Sequence, residues 1–97
     1  MVGVSVALIE AGLPRLGVVI APYLGLEFAA SAGRGATLSG ERLPRLAPGE
    51  PAAAVVATGF PFRRKERLPR YEAVLEGALR RFEDLRRAGA AALDLAW

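Results

Sequence analysis

VGVSVALIEAGLPRLGVVIA, residues 2–21, decides how the fold is read. Val2, Val4, Val6 and Leu8 alternate with Gly3, Ser5, Ala7 and Ile9, the period-two pattern of a strand with one face well buried. Gly12 and Pro14 supply a turn signal, and Leu16 to Ala21 follows as an unbroken Val- and Ile-rich run stopped by Pro22. That run reads as a strand buried on both faces and paired with the first as a hairpin. Leu26 to Ser31 makes a third strand; Gly33-Arg34-Gly35 breaks the pattern, and Ala36 to Leu38 leads into the turn-like Ser39-Gly40. The expected topology is an antiparallel meander.

Downstream, Pro44, Pro48, Gly49 and Pro51 exclude a helix or central strand between Leu43 and Pro51 and mark an internal boundary. Two portions are therefore expected, residues 1–50 built on the antiparallel sheet and residues 51–97 of α/β type. Ala52 to Thr58 reads as a buried strand closed by Gly59 and Pro61. After the polar stretch Arg63 to Arg67, the residues Tyr71, Val74, Leu75, Ala78, Leu79, Phe82 and Leu85 recur every three or four positions, the stripe of an amphipathic helix entered through Pro69. Glu76–Arg80 and Glu83–Arg87 are spaced as i,i+4 ion pairs, each worth about 0.3–0.5 kcal/mol. Ala90 to Trp97 reads as two turns of an uncapped helix, too short to stand alone. Strand, loop and helix give half of a βαβ unit, so the fold class is α+β or mixed α/β. The abrupt strand at Met1 and the uncapped end at Trp97 lead to the expectation that the chain is a segment of something longer, with apolar area exposed at its cut surfaces.

Composition narrows the chemistry. The 97 residues are 53% hydrophobic, with 13 basic and 10 acidic side chains and neither His nor Cys. Disorder and disulfide scaffolds are excluded, as are zinc sites built on His or Cys, imidazole-based triads and thiol nucleophiles. A net charge of +3, with Arg interleaved with Glu, gives little support to nucleic-acid or anionic-membrane binding. No apolar run reaches the roughly 20 residues of a membrane span, and no basic leader precedes Val2, so the cytoplasm is the expected location. Asn and Gln are absent and Lys65 stands alone against a dozen Arg, a bias that thermostable proteins and GC-rich coding both produce.

The short motifs read as structure. Gly33-Arg34-Gly35-Ala36-Thr37-Leu38 begins like a dinucleotide fingerprint, but Leu38 holds the place of the third Gly, so a loop and turn is the better reading. No phosphate-binding P-loop and no Gly-x-Ser-x-Gly elbow occurs, leaving Ser5, Ser31 and Ser39 without visible activation. Arg63, Arg64, Lys65, Arg67 and Arg70 have the chemistry to hold a phosphate or a nucleic-acid backbone, but Glu66 dilutes them and no aromatic residues interleave. A solvated helix entry is favoured. Glu72, Glu76, Glu83 and Asp84 lie on or beside the polar side of the helix and form no catalytic pair.

Four stretches in order resemble the inositol monophosphatase family of magnesium-dependent phosphatases. Val4-Ser5-Val6-Ala7-Leu8, through Gly12 to Leu16-Gly17-Val18-Val19 and Pro22, is similar to that family's hairpin. Gly33-Arg34-Gly35-Ala36-Thr37-Leu38-Ser39-Gly40 resembles its GxGAxLNG segment with Ser39 in the Asn place, and Ala57-Thr58-Gly59-Phe60-Pro61-Phe62 resembles its ATGFPY element. Arg86-Arg87-Ala88-Gly89-Ala90-Ala91-Ala92-Leu93-Asp94-Leu95 resembles its RRxGSAALDL element. The resemblance implies a segment of a layered αβαβα fold, an antiparallel meander followed by a strand-helix-strand unit. It also implies Mg²⁺-dependent hydrolysis of inositol phosphates or related sugar phosphates.

By the same resemblance, the family's metal ligands sit in Glu-Glu, Asp-Pro-x-Asp-Gly-Thr and Trp-Asp elements that this chain does not contain. No catalytic or metal-binding residue is therefore assigned, and no Mg²⁺ is expected on this chain alone. Asp94 matches a structural helix position and does not form the Trp-Asp motif with Trp97. The substrate-binding element that carries over is Gly89, Ala90 and Ala91, matching the family's Gly-Ser/Thr-Ala, with Ala90 in place of the hydroxyl residue. The expected function is that of a segment of such a phosphatase, inactive as 97 residues. The alternative is a non-catalytic oligomerisation or partner-binding remnant, and self-association into a homo-oligomer is expected.

Overall fold

A computed structural model describes residues 1–60 and 63–97. Pro61 and Phe62, the last two residues of the Ala57–Phe62 element, lie outside the described residues, and with Pro61 the expected close of the second buried run. The chain divides into two compact units, Met1–Leu46 with Gly89–Trp97, and Ala47–Ala88. No helix among the described residues is long and apolar enough to cross a membrane.

The first unit is an antiparallel sheet in simple sequence order, β1 (Val4–Glu10), β2 (Leu13–Ala21), β3 (Leu26–Ser31), β4 (Gly35–Leu38) and β5 (Glu41–Arg42). Local chemistry sets the register. Glu10 faces Leu13 across a two-residue loop in which Ala11 and Gly12 have φ of 50° and 77°, the twist that a tight hairpin requires. Ser39 and Gly40, at φ 48° and 87°, repeat the device between Leu38 and Glu41. Pro14 lies inside β2 rather than in the turn. It is tolerated because the register slips there: Leu8 faces Leu16 and Ile9 faces Pro14, so Arg15 is an extra residue on β2, and its carbonyl accepts the Ala32 N–H at 2.9 Å.

The chain then returns to this sheet through α2 (Ala91–Ala96). Leu93 on α2 is fully buried and packs with Ala21 and Phe28, with Val19, Leu26, Leu38 and Leu43 around them. Trp97 sits against Phe28 with ring centroids 6.5 Å apart.

Burial departs from the alternation pattern. One face of β1 and both faces of β2 were expected to be covered, yet all of β1 is exposed and β2 is buried only at Ala21. The alternation does sort the side chains: Val19, Ala21 and Phe28 share the face that α2 covers, whereas Val4, Val6, Leu8, Leu16, Val18 and Ile20 share the other. Among the described residues α2 packs on one face of this sheet, and the apolar side chains of the second face are exposed.

The second unit is a strand-helix-strand crossover. β6 (Val55–Ala57) and β7 (Asp84–Arg86) pair in parallel, joined by α1 (Leu68–Arg81), with Pro69 in the helix's first turn. Tyr71, Leu75 and Ala78 form the half-buried face of α1, while Val74 and Leu79 point into solvent at 63% and 64% exposure. The helical reading of Leu85 is corrected. Phe82 already has extended backbone, the Glu83 N–H donates to the Ala54 carbonyl at 3.0 Å, and Leu85 pairs with Val56 as a strand residue. Glu83 and Arg87 consequently flank a strand and are not a helical i,i+4 pair, whereas Glu76 and Arg80 form theirs at 2.8 Å.

Leu93→Ala is expected to destabilise the first unit by about 2–5 kcal/mol, the usual cost of truncating a buried Leu. Leu95→Ala, at a side chain 90% exposed, is expected to stay within about 0.5 kcal/mol. A Cβ on Gly3 would stand 3.0 Å from Leu93 Cδ1, so Gly3→Ala is expected to cost about 1–3 kcal/mol through overpacking. Urea titration followed by circular dichroism measures all three; equal midpoints for Leu93→Ala and Leu95→Ala would contradict this account of the core.

Candidate functional site

The site expected at Gly89, Ala90 and Ala91 is where the chain enters α2. Gly89 has φ of 85°, a left-handed conformation that glycine adopts at little cost and that turns the chain onto the sheet. Ala90 is the residue before the helix, with φ −142° and ψ 88°, and Ala91 is the first helical residue. The Ala90 carbonyl accepts hydrogen bonds from the Leu93 N–H at 2.9 Å and the Asp94 N–H at 3.1 Å. Ala90 itself packs, half-buried, against the Ala21–Phe28–Leu93 cluster. Sequence places Ser or Asp at such helix entries because their oxygens accept orphan backbone N–H groups. Ala90 has no such oxygen, and the entry carries no side-chain cap. Two backbone bonds and burial of Leu93 hold this segment.

Two other groupings belong to single units and were not singled out by the sequence. In the second unit the Thr58 hydroxyl is hydrogen-bonded to the Tyr71 hydroxyl at 3.1 Å, Phe60 meets Tyr71 edge-on at 5.3 Å, and the Arg87 guanidinium lies 5.2 Å from the Phe60 ring centre. The parallel crossover explains the meeting: Thr58 and Arg87 each follow the carboxyl end of a strand, and two parallel neighbours end at the same edge, where α/β sheets place their crevices. In the first unit, Arg15, Arg42 and Arg45 border a groove of about 1040 Å³. Its floor includes Ala7, Gly17, Ala30 and Ala36, which face one another across four strands and leave room because their side chains are small. Gly89, Ala90 and Ala91 do not line that groove.

The basic cluster occupies the approach to α1. Lys65–Arg67 forms a single 3-10 turn, Arg64 lies 3.8 Å from Glu66, and Arg63, Arg64, Lys65, Arg67 and Arg70 are all exposed. Among the described residues no group of three His, Cys, Asp or Glu side chains is placed to hold a metal ion. The donors present therefore do not fit the magnesium site of the family the sequence resembles, and no catalytic step is derived through a metal.

Comparison with known proteins accords with this geometry. The chain is 40% identical over 96 residues to the Nus factor SuhB of Pseudomonas aeruginosa and 36% identical over 94 residues to that of Escherichia coli K12, covering 97% of this chain and 35% of each relative. Among solved structures it superposes on the inositol monophosphatase of Anabaena (Nostoc) with a TM-score of 0.86 at 32% identity, covering 97% of this chain and 37% of that one. The extragenic suppressor protein SuhB of Bartonella henselae gives a TM-score of 0.86 at 33% identity over 97% of this chain and 36% of its own. The chain thus spans about a third of the length of the relatives it matches. The inositol monophosphatase family model matches residues 1–97 from end to end, and the chain belongs to that family.

Proposed function

We propose that these residues are the portion of an inositol monophosphatase-type phosphomonoesterase that carries the substrate-facing turn Gly89-Ala90-Ala91, acting on inositol phosphates or related sugar phosphates in the cytoplasm. The observation that supports this reading is the family match over all 97 residues, together with a turn at Gly89 and Ala90 that leads directly into α2, whose Leu93 is buried against the sheet. In the family the residue at the Ala90 position brings a hydroxyl to the substrate; here the segment offers backbone groups and a methyl. Loss of one neutral hydrogen bond is worth about 0.5–1.5 kcal/mol, so this chain's substrate selectivity is proposed to rest more on shape and less on hydroxyl recognition. Magnesium belongs to the family's chemistry and would lower the charge barrier at phosphorus. Among the described residues no group of His, Cys, Asp or Glu side chains is placed to hold it, and the 97-residue chain by itself is proposed to be inactive.

A chimera tests the reading. Residues 1–97 replace the matching third of the Anabaena inositol monophosphatase, and phosphate release from inositol monophosphate is followed with and without Mg²⁺. The expected result is Mg²⁺-dependent release by the chimera, raised severalfold by Ala90→Ser as one recovered hydrogen bond allows, and no release by the 97-residue chain. A folded but inactive chimera, or Mg²⁺-dependent turnover by the chain alone, would contradict it.

Ala90→Ser also has an expected effect on the isolated chain. Its hydroxyl would accept one of the free N–H groups at the start of α2, stabilising the first unit by about 0.5–2 kcal/mol. A thermal melt that leaves the midpoint unchanged would show that the entry to α2 does not behave as a helix cap.

A further inference from the structure

Contacts in the second unit converge on residues 58–60, the short segment that follows β6. The Thr58 N–H donates to the Arg86 carbonyl at 2.8 Å, and the Thr58 hydroxyl shares a hydrogen bond of 3.1 Å with the Tyr71 hydroxyl. The Phe60 ring meets the Tyr71 ring at 5.3 Å and the Arg87 guanidinium at 5.2 Å. Tyr71, in the first part of α1, thus reaches the segment twice, through its hydroxyl and through its ring. The segment in turn holds the end of β7 twice, at the Arg86 backbone and at the Arg87 side chain. Thr58 and Tyr71 are both half-buried, and a bond between two side chains on separate elements fixes the rotamer of each at a cost in entropy that pairing of β6 with β7 does not require.

We propose that Tyr71, acting through Thr58, is a positioning residue for the substrate-facing turn, an inference that rests on the phosphatase reading above. Ala88 is the single residue between Arg87 and Gly89. Each residue contributes only two soft dihedrals, so whatever fixes the Arg86 carbonyl and the Arg87 side chain sets the direction in which the chain arrives at Gly89. Gly89 has no side chain to correct an error in that approach. Removing the hydroxyl pair leaves the β6–β7 pairing and the ring contacts in place, so the unit still folds while the approach to the turn loosens. The effect on substrates is selective. The turn is proposed to meet the hydroxyls of an inositol or sugar phosphate and not the phosphorus, so slack there weakens binding of a polyol phosphate without slowing phosphoryl transfer, a change in KM and not in kcat.

The Anabaena chimera described above tests the proposal with two substrates, inositol monophosphate and p-nitrophenyl phosphate, which has no hydroxyls for the turn to meet. Tyr71→Phe and Thr58→Val are each expected to raise KM for inositol monophosphate about two- to tenfold, the share of one neutral hydrogen bond, with kcat and the KM for p-nitrophenyl phosphate unchanged. The double variant should raise KM no further than either alone, because both remove the same bond. Thr58→Ser keeps the hydroxyl and should restore the unsubstituted KM. Circular dichroism checks that each variant is folded; should Tyr71→Phe not fold, the contrast between Thr58→Val and Thr58→Ser reads the same contact. A chimera without Mg²⁺-dependent turnover overturns the phosphatase reading and this inference with it. An active chimera in which the variants leave both KM values unchanged, lower kcat for both substrates alike, or add in the double variant overturns the positioning role alone.

Discussion

Leu93 fits into a pocket formed by Ala21 and Phe28, and the rest of the first unit is arranged around that contact. Fully burying a Leu side chain contributes about 1.5–3 kcal/mol, a large share where three of the described residues are buried. The contact joins the last nine residues to strands more than sixty positions earlier, which makes it costly in chain entropy and decisive once formed. It also explains Gly3. That residue has no Cβ where one would press on the Leu93 side chain, so the end of β2 and the segment entering β1 approach the helix closely.

The candidate substrate turn inherits its shape from the same contact. Gly89 takes a left-handed backbone and Ala90 an extended one, and neither has a side chain able to enforce that geometry. Two hydrogen bonds to the Ala90 carbonyl and the docking of α2 do so instead. A turn positioned by a packed helix is more rigid than one held by loop chemistry, which would suit the proposed role of this segment in offering backbone groups rather than a hydroxyl.

Much of this was legible in the sequence, for identifiable reasons. β3 lies at Leu26–Ser31 as read, because Gly25 and Gly33 punctuate it and its apolar residues alternate. The four ordered stretches carried the family resemblance, and the family model matches residues 1–97; the substrate role of Gly89, Ala90 and Ala91 stays a proposal. Other features were hidden. Leu85 continues a helical spacing from Tyr71, and only the pairing of Val56 with Leu85 reveals a strand. Periodicity at β1 and β2 tells which side chains share a face but not whether anything covers it. The Thr58, Phe60, Tyr71 and Arg87 grouping arises from a parallel crossover that brings distant positions to one edge, and no local spacing encodes it.

Native-state hydrogen exchange tests most directly whether α2 holds the first unit together. If it does, the amides of Leu93 and Trp97, bonded to the Ala90 and Leu93 carbonyls, open with the same free energy as those of Val19 and Phe28 in the central strands, as one cooperative unit. Exchange of the α2 amides through a much lower-energy opening, with Val19 and Phe28 still protected, would contradict it and reduce the helix to a passive cover.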